Sequence, residues 1–356
     1  MDMVQMKNNK AMNERVVMDP EISILIITHN QRRLLERCLD SVLNQIIDVP
    51  YEIIISDDGD DDGTKEFVQH LSCSERVQRI DSLLELKYTM CFGKGILGWN
   101  RLNAYKQAKG KYFVNVDADD FLIGTDLYQK EYEMLEAHPE CSMVQTRLLT
   151  LDDGDGIDQL KRGCPFSEKF ENGAVFSLED YLRYRLRGQH QTCMYRRRPQ
   201  DDMEQILGVR FDDINITYYH IQFGPVCFLD ITGYVWVHYP NSDSNSLNDD
   251  ERSVAYGLIP LSLARLYPKS RYVFLGLGYR VLRGTIRTAP RYPNLRDSLR
   301  MRWSASEAFI YRFYSEHHHS VGSWARYWLI WVLLLVMKRL RLNSKFWLDA
   351  LYRAMV

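Results

Sequence analysis

Val114 to Phe121 reads VNVDADDF, and three carboxylates, Asp117, Asp119 and Asp120, close an apolar, β-prone run that begins at Tyr112. A hydrophobic run that stops abruptly in spaced acids predicts a buried strand delivering carboxylates to the edge of a sheet. In open α/β sheets, ligands bind beyond the carboxyl ends of the strands. Asp117 and Asp119 are two apart, so on extended chain they point the same way. Two hard oxygen donors on one side suit Mg²⁺ or Mn²⁺, and through such an ion a diphosphate.

Strand and helix signals alternate on both sides of this stretch. Glu21–Ile27 (EISILII) predicts a first strand with Thr28, His29 and Asn30 at its exit. In Arg32–Gln45, Leu34, Leu35, Cys38, Leu39, Val42 and Leu43 share one helical stripe. Tyr51–Ser56 predicts a second strand, and it too ends in acids, Asp57 and Asp58 first among them. A helix at Thr64–Leu71, a strand at Leu83–Tyr88 and a glycine-bearing loop at Cys91–Gly98 follow. A helix at Trp99–Lys109 stops at Gly110, where a left-handed residue is common. Beyond the opening stretch come a helix at Asp126–Ala137 and a strand at Ser142–Leu151. The alternation implies a mostly parallel sheet covered on both faces.

Composition narrows the class. The chain has 356 residues, enough for two domains or one with an extension. Apolar content of 46% and charged content of 26% are those of a globular protein. The net charge of −2 hides an asymmetry: Leu261–Val356 carries +13 and the preceding residues −15. The C-terminal part is therefore expected to face something anionic. The seven cysteines form no CxxC pair, which fits a reducing cytosol. The first 19 residues lack an apolar core and read as a tail rather than a signal peptide.

With these elements in order, the chain resembles the family 2 inverting glycosyltransferases of GT-A fold. Four segments carry the resemblance: SILIITHN with LLERCLDSVLNQ (Ser23–Gln45), EIIISDDGDDDGT (Glu52–Thr64), NRLNAYKQAKGKYFVNVDADD (Asn100–Asp120), and a more diffuse set comprising Cys193–Arg197, Val209–Asp213 and Tyr234–Ser246. The resemblance implies a Rossmann-like sheet flanked by helices over 20–250, with a donor half at 20–150 and an acceptor half at 151–250. It assigns the nucleotide to Thr28, Asn30, Asp57, Asp58 and Asp117, and the donor diphosphate to Arg101. Leu102 stands where the family usually has asparagine, and His29 where it has an aromatic residue. Asp117 and Asp119 fall on the metal-binding carboxylates, and His238 where a histidine often lies near the diphosphate or metal. Asp212 and Asp213 occupy the place of the acidic pair that holds the catalytic base.

The implied reaction is transfer, with inversion, of a sugar from a UDP-sugar or related donor to a hydroxyl of a glycan or lipid-linked glycan in surface polysaccharide or lipopolysaccharide synthesis. It would use Mn²⁺ or Mg²⁺. The alternatives are a degenerate GT-A scaffold subunit and a nucleotidyltransferase. The latter expects a glycine-rich basic loop after the first strand, which Thr28–Arg33 is not.

From 251 onward the chain reads as a helical, basic extension. Tyr327–Met337 is an uninterrupted apolar run of 11 residues flanked by Arg326, Lys338, Arg339 and Arg341. A spanning helix needs ~20 apolar residues. Tryptophans with basic flanks instead predict a helix at about 324–341 lying on an anionic membrane surface, on the cytoplasmic face. The other reading is a buried helix at a homodimer interface. No motif supports a nucleic-acid partner.

Overall fold

The computed structural model describes residues 19–59, 62–74, 77, 83–91, 97–163, 170–178, 180, 190–198 and 213–240. Asp212 and the basic extension from 251 onward, with its apolar run, lie outside the described residues.

The first half follows the alternating pattern: β1 (Ile22–Thr28), α1 (Arg32–Leu43), β2 (Tyr51–Asp57), α2 (Thr64–Ser72), β3 (Leu84–Met90), α3 (Leu97–Gln107), β4 (Tyr112–Asp117), β5 (Phe121–Leu122), α4 (Leu127–Ala137) and β6 (Met143–Asp152). Then come β7 (Lys161–Arg162), β8 (Val175–Phe176), β9 (Cys193–Arg196), α5 (Asp213–His220) and β10 (Val226–His238).

These strands form one sheet in the order β3-β2-β1-β4-β9-β6-β10-β5, with β7 on β6 and β8 on β10. β3, β2, β1 and β4 run parallel, as do β6 and β10. β9 is antiparallel to both β4 and β6 and joins the two parallel blocks. The sheet is therefore mostly parallel but mixed, because a strand arriving late in the chain closes the gap between β4 and β6.

Central position explains why β1 reads as almost continuously apolar. It lies between β2 and β4, and all seven of its residues are buried. The α1 stripe packs Leu35, Cys38, Leu39, Val42 and Leu43 into the same core as Ile24, Ile53 and Val114. At the amino edge of the sheet, Glu52 is fully buried. It accepts from Ser23 Oγ (2.6 Å), Lys109 N (2.6 Å) and Lys87 Nζ (2.5 Å), which ties the end of α3 beneath β1 and β2.

Candidate active site at the carboxyl edge

The parallel register lines up the carboxyl ends of three strands. Thr28 of β1 pairs with Asp57 of β2, and Ile27 pairs with Asp117 of β4. Residues scattered over ninety positions therefore sit on adjacent strands, about 5 Å apart per step.

The exits of β1 and β2 cross closely. Asn30 has a positive φ of 53°. A Cβ on Gly59 would lie 2.6 Å from both the backbone nitrogen and Oδ1 of Asn30, so the crossing requires glycine there. His29 Nδ1 lies 3.0 Å from Asp58 Oδ1; the Asp58 side chain is 4% exposed. Asp57 accepts from Tyr88 Oη (3.1 Å) and from Gly59 N (3.0 Å). Burial raises the carboxyl groups of both Asp57 and Asp58 above their ordinary range. Further along the acidic run, Asp62 is structural. Its oxygens accept from Thr64 N and Arg32 N, so it steadies the starts of α2 and α1 together.

The three acids of β4's exit have different surroundings. Asp120 is 1% exposed; Tyr234 Oη donates to its Oδ2 (2.7 Å) and Val237 N to its Oδ1 (2.8 Å). It anchors β10 to the end of β4. Tyr234 Oη also accepts from Asp117 N at 3.3 Å. Asp117 accepts Arg101 Nη2 on both carboxylate oxygens, at 2.7 and 3.0 Å. Gln191 Nε2 reaches its Oδ2 at 3.3 Å, and His190 Nε2 lies 3.9 Å away. The Asp119 carboxylate has no hydrogen bond or ion pair to another described residue. Burial, and next the neighbouring Asp117, push its carboxyl up to about 6. Two crowded carboxylates, one of them without a partner, form an oxygen donor set that a hard divalent cation would relieve, so the residues fit Mg²⁺ or Mn²⁺.

Arg101 is 2% exposed, and the contact described for its Nη2 is Asp117. Leu102, in the asparagine position, is fully buried. Asn100 and Asn103 do the polar work on this helix: Asn100 Nδ2 donates to Thr28 O (2.9 Å), and Asn103 Nδ2 to Ser56 Oγ (2.9 Å). His238 Nδ1 lies 3.2 Å from Asp152 Oδ1, in register with it on β6. It is Tyr239, the next residue, that reaches the acidic turn, with Oη 3.5 Å from Asp119 O; Arg37 Nη2 also donates to that carbonyl at 2.8 Å.

Asp213 opens α5. This helix packs on the 3-10 turn His190–Thr192, whose residues contact Asp117, and Thr217 Oγ1 lies 3.1 Å from Tyr195 Oη of β9. The partners that sequence reasoning missed are Tyr88, His190, Gln191 and Tyr234. Tyr88 lay in the strand expected at Leu83–Tyr88 and Tyr234 in the segment Tyr234–Ser246, but His190 and Gln191 carried no local signal.

Residues 23–202 match the family model Glycosyl transferase family 2. The chain belongs to that family. Over 117 residues it is 33% identical to a GalNAc(5)-diNAcBac-PP-undecaprenol beta-1,3-glucosyltransferase of Campylobacter jejuni, covering 32% of this chain and 35% of the relative. Over 113 residues it is 32% identical to a poly(ribitol-phosphate) beta-glucosyltransferase of Bacillus spizizenii, covering 32% of this chain and 17% of the relative. The chain thus spans about a third or less of these relatives. Residues 1–349 of S. aureus TarS, solved with UDP, share the fold at a TM-score of 0.50 and 16% identity, covering 81% of this chain and 77% of the other.

Proposed function

We propose that this chain is a glycosyltransferase that moves a sugar from a nucleotide donor, a UDP-sugar, to a hydroxyl of a glycan or lipid-linked glycan, with inversion at the anomeric carbon. The observation that carries the reading is the division of labour at the β4 exit. Asp120 is locked to β10 and Asp117 is held by Arg101, while Asp119 keeps a carboxylate with no described partner. The relatives' names support a glucosyl or similar donor and a polymer or undecaprenyl-diphosphate-linked acceptor. UDP is the nucleotide in the TarS complex.

In this reading Thr28, Asn30, Asp57 and Asp58 hold the nucleoside at the exits of β1 and β2. Asp119, with Asp117 beside it, would hold Mn²⁺ or Mg²⁺. A bound divalent ion supplies charge neutralisation to the departing diphosphate. His238 would join from the end of β10 by turning away from Asp152.

The acceptor oxygen attacks the anomeric carbon as the bond from that carbon to the diphosphate oxygen breaks, and the diphosphate leaves with the electron pair. The hydroxyl proton passes to a carboxylate acting as general base, Asp213 or its neighbour Asp212. Inversion requires that base on the face opposite the diphosphate. It therefore comes from the α5 start rather than from the β4 exit. Residues 20–250 form the catalytic domain, and the basic C-terminal region holds the protein to an anionic inner leaflet. Among the described residues no helix is long and apolar enough to cross a membrane.

The test is nucleotide release from a panel of UDP-, GDP- and dTDP-sugars, with Mn²⁺ and with EDTA, for wild type and Asp119→Ala. Metal-dependent turnover of one donor, lost in the variant, is expected. UDP binding without turnover of any donor, acceptor glycans included, would make the chain a binding subunit instead. Failure of the full chain to sediment with anionic liposomes would remove the membrane assignment alone.

A further inference from the structure

A second polar pocket lies away from the nucleotide edge. Its volume is about 360 Å³, within the range of small-ligand sites. None of its lining residues belongs to the site described above. It exists because β10 is irregular. The β6–β10 register shifts between Phe228 and Thr232 and again between Thr232 and Tyr234, so this segment bulges away from β6. Lys130 of α4, Arg147 of β6 and Arg162 of β7 line the space, together with Asp126 and Asp230.

The charges here do not close. Lys130 Nζ pairs with Asp126 at 2.6 Å, and Arg147 Nε pairs with Asp230. The Arg162 side chain has no ion pair or hydrogen bond to a described residue, although its charge acts on Asp230. Arg147 is 9% exposed, and its Nη1 is buried with no acceptor. A buried cationic N–H without an acceptor is expensive and calls for an unfilled partner. Two arginine side chains therefore line one pocket, and its five charged side chains leave a net positive charge. Guanidinium forks match the oxygens of phosphate.

We infer that this pocket binds a phosphate oxyanion, free or esterified, held by the side chains of Arg162 and Arg147. The site is independent of the transfer reaction, so its test needs no donor or acceptor. The full-length protein is titrated with inorganic phosphate, dimethyl phosphate and acetate at low ionic strength. The readouts are calorimetry and the guanidinium resonances of ¹⁵N-labelled arginine, for wild type, Arg162→Gln and Arg147→Lys. Arg162 is exposed, so its replacement leaves the fold intact, and Arg147→Lys keeps a charge for Asp230.

Saturable phosphate binding is expected, weakened about tenfold in Arg162→Gln, with the arginine resonances shifting in the wild type. Binding of inorganic phosphate alone assigns the pocket to free phosphate or a monoester; equal binding of dimethyl phosphate assigns it to a phosphodiester. Absence of saturable binding, acetate matching phosphate, or unchanged affinity in Arg162→Gln would overturn the inference.

Discussion

Arg101 and Asp117 form an ion pair in which one guanidinium nitrogen serves both carboxylate oxygens, at 2.7 and 3.0 Å. The arginine is 2% exposed and the aspartate side chain 19%. The pair orients the first acid of the β4 exit and leaves Asp119 as the carboxylate with no described partner. Arg101→Ala should therefore cost about 2–4 kcal/mol in unfolding free energy, toward the lower end for a broken buried pair because Asp117 can regain water. Turnover should fall roughly 10–100-fold, the usual scale for losing the partner that orients a metal-site ligand. Denaturant melts and steady-state kinetics with a turned-over donor check both. A variant with full turnover would mean that Asp117 needs no orienting partner.

Asp119→Asn should separate activity from stability. Transfer should drop on the order of 10²–10³-fold, the scale seen when one preorganised electrostatic contact is removed. Thermal stability without metal should hold or rise, because a carboxylate crowded by Asp117 has been neutralised. Parallel thermal scans with and without Mn²⁺ would show this as loss of the metal-dependent shift in the variant.

Tyr234→Phe removes a hydroxyl that donates to Asp120 and accepts from Asp117 N. Asp120 stays buried with one partner fewer, so the expected cost is about 1–3 kcal/mol. The acidic turn should also loosen, raising the donor KM more than it lowers kcat. A kinetic split in the opposite sense would show that the tie acts on chemistry rather than on the turn.

Gly59→Ala places a methyl group 2.6 Å from the backbone of Asn30. Backbone must shift where the exits of β1 and β2 cross. Donor affinity should weaken about tenfold with little change in melting temperature, since the crossing is at the surface edge of the core. Calorimetric titration with UDP measures it.

Glu131 supplies a pH dependence unconnected to the site. It is 1% exposed on α4, and one carboxylate oxygen has no partner. Burial pushes its carboxyl from about 4.5 up to about 8. Between those values the folded chain holds a proton that the unfolded chain releases. The contribution of Glu131 to stability is therefore full below pH 4.5 and falls as pH rises to about 8, by at most about 1.4 kcal/mol per unit. Glu131→Gln should flatten that slope relative to wild type in urea melts across pH 5–8. Parallel slopes would show the carboxyl ionised within the fold.

The alternating elements of the first half were legible because each carries its own period. The apolar run of β1, the stripe of α1 and the abrupt acidic ends of β2 and β4 are local patterns that burial on both faces imposes. The candidate acids were legible for the same reason, since a strand that ends in charge marks the edge where it meets water. What each acid does was not. Asp62, Asp117, Asp119 and Asp120 look alike along the chain. They differ because partners far away in sequence reach some of them: Arg32, Arg101, Gln191 and Tyr234. β9 was hidden for a related reason. Its four residues become a strand only between β4 and β6, which arrive from elsewhere. The sequence by itself therefore determined the strands, the helices and the edge at which acids collect, because those follow from nearest-neighbour periodicity. The tertiary structure decided which carboxylate is a strut, which is held by a cation and which keeps no described partner, because burial and pairing depend on groups that only folding brings within hydrogen-bond reach.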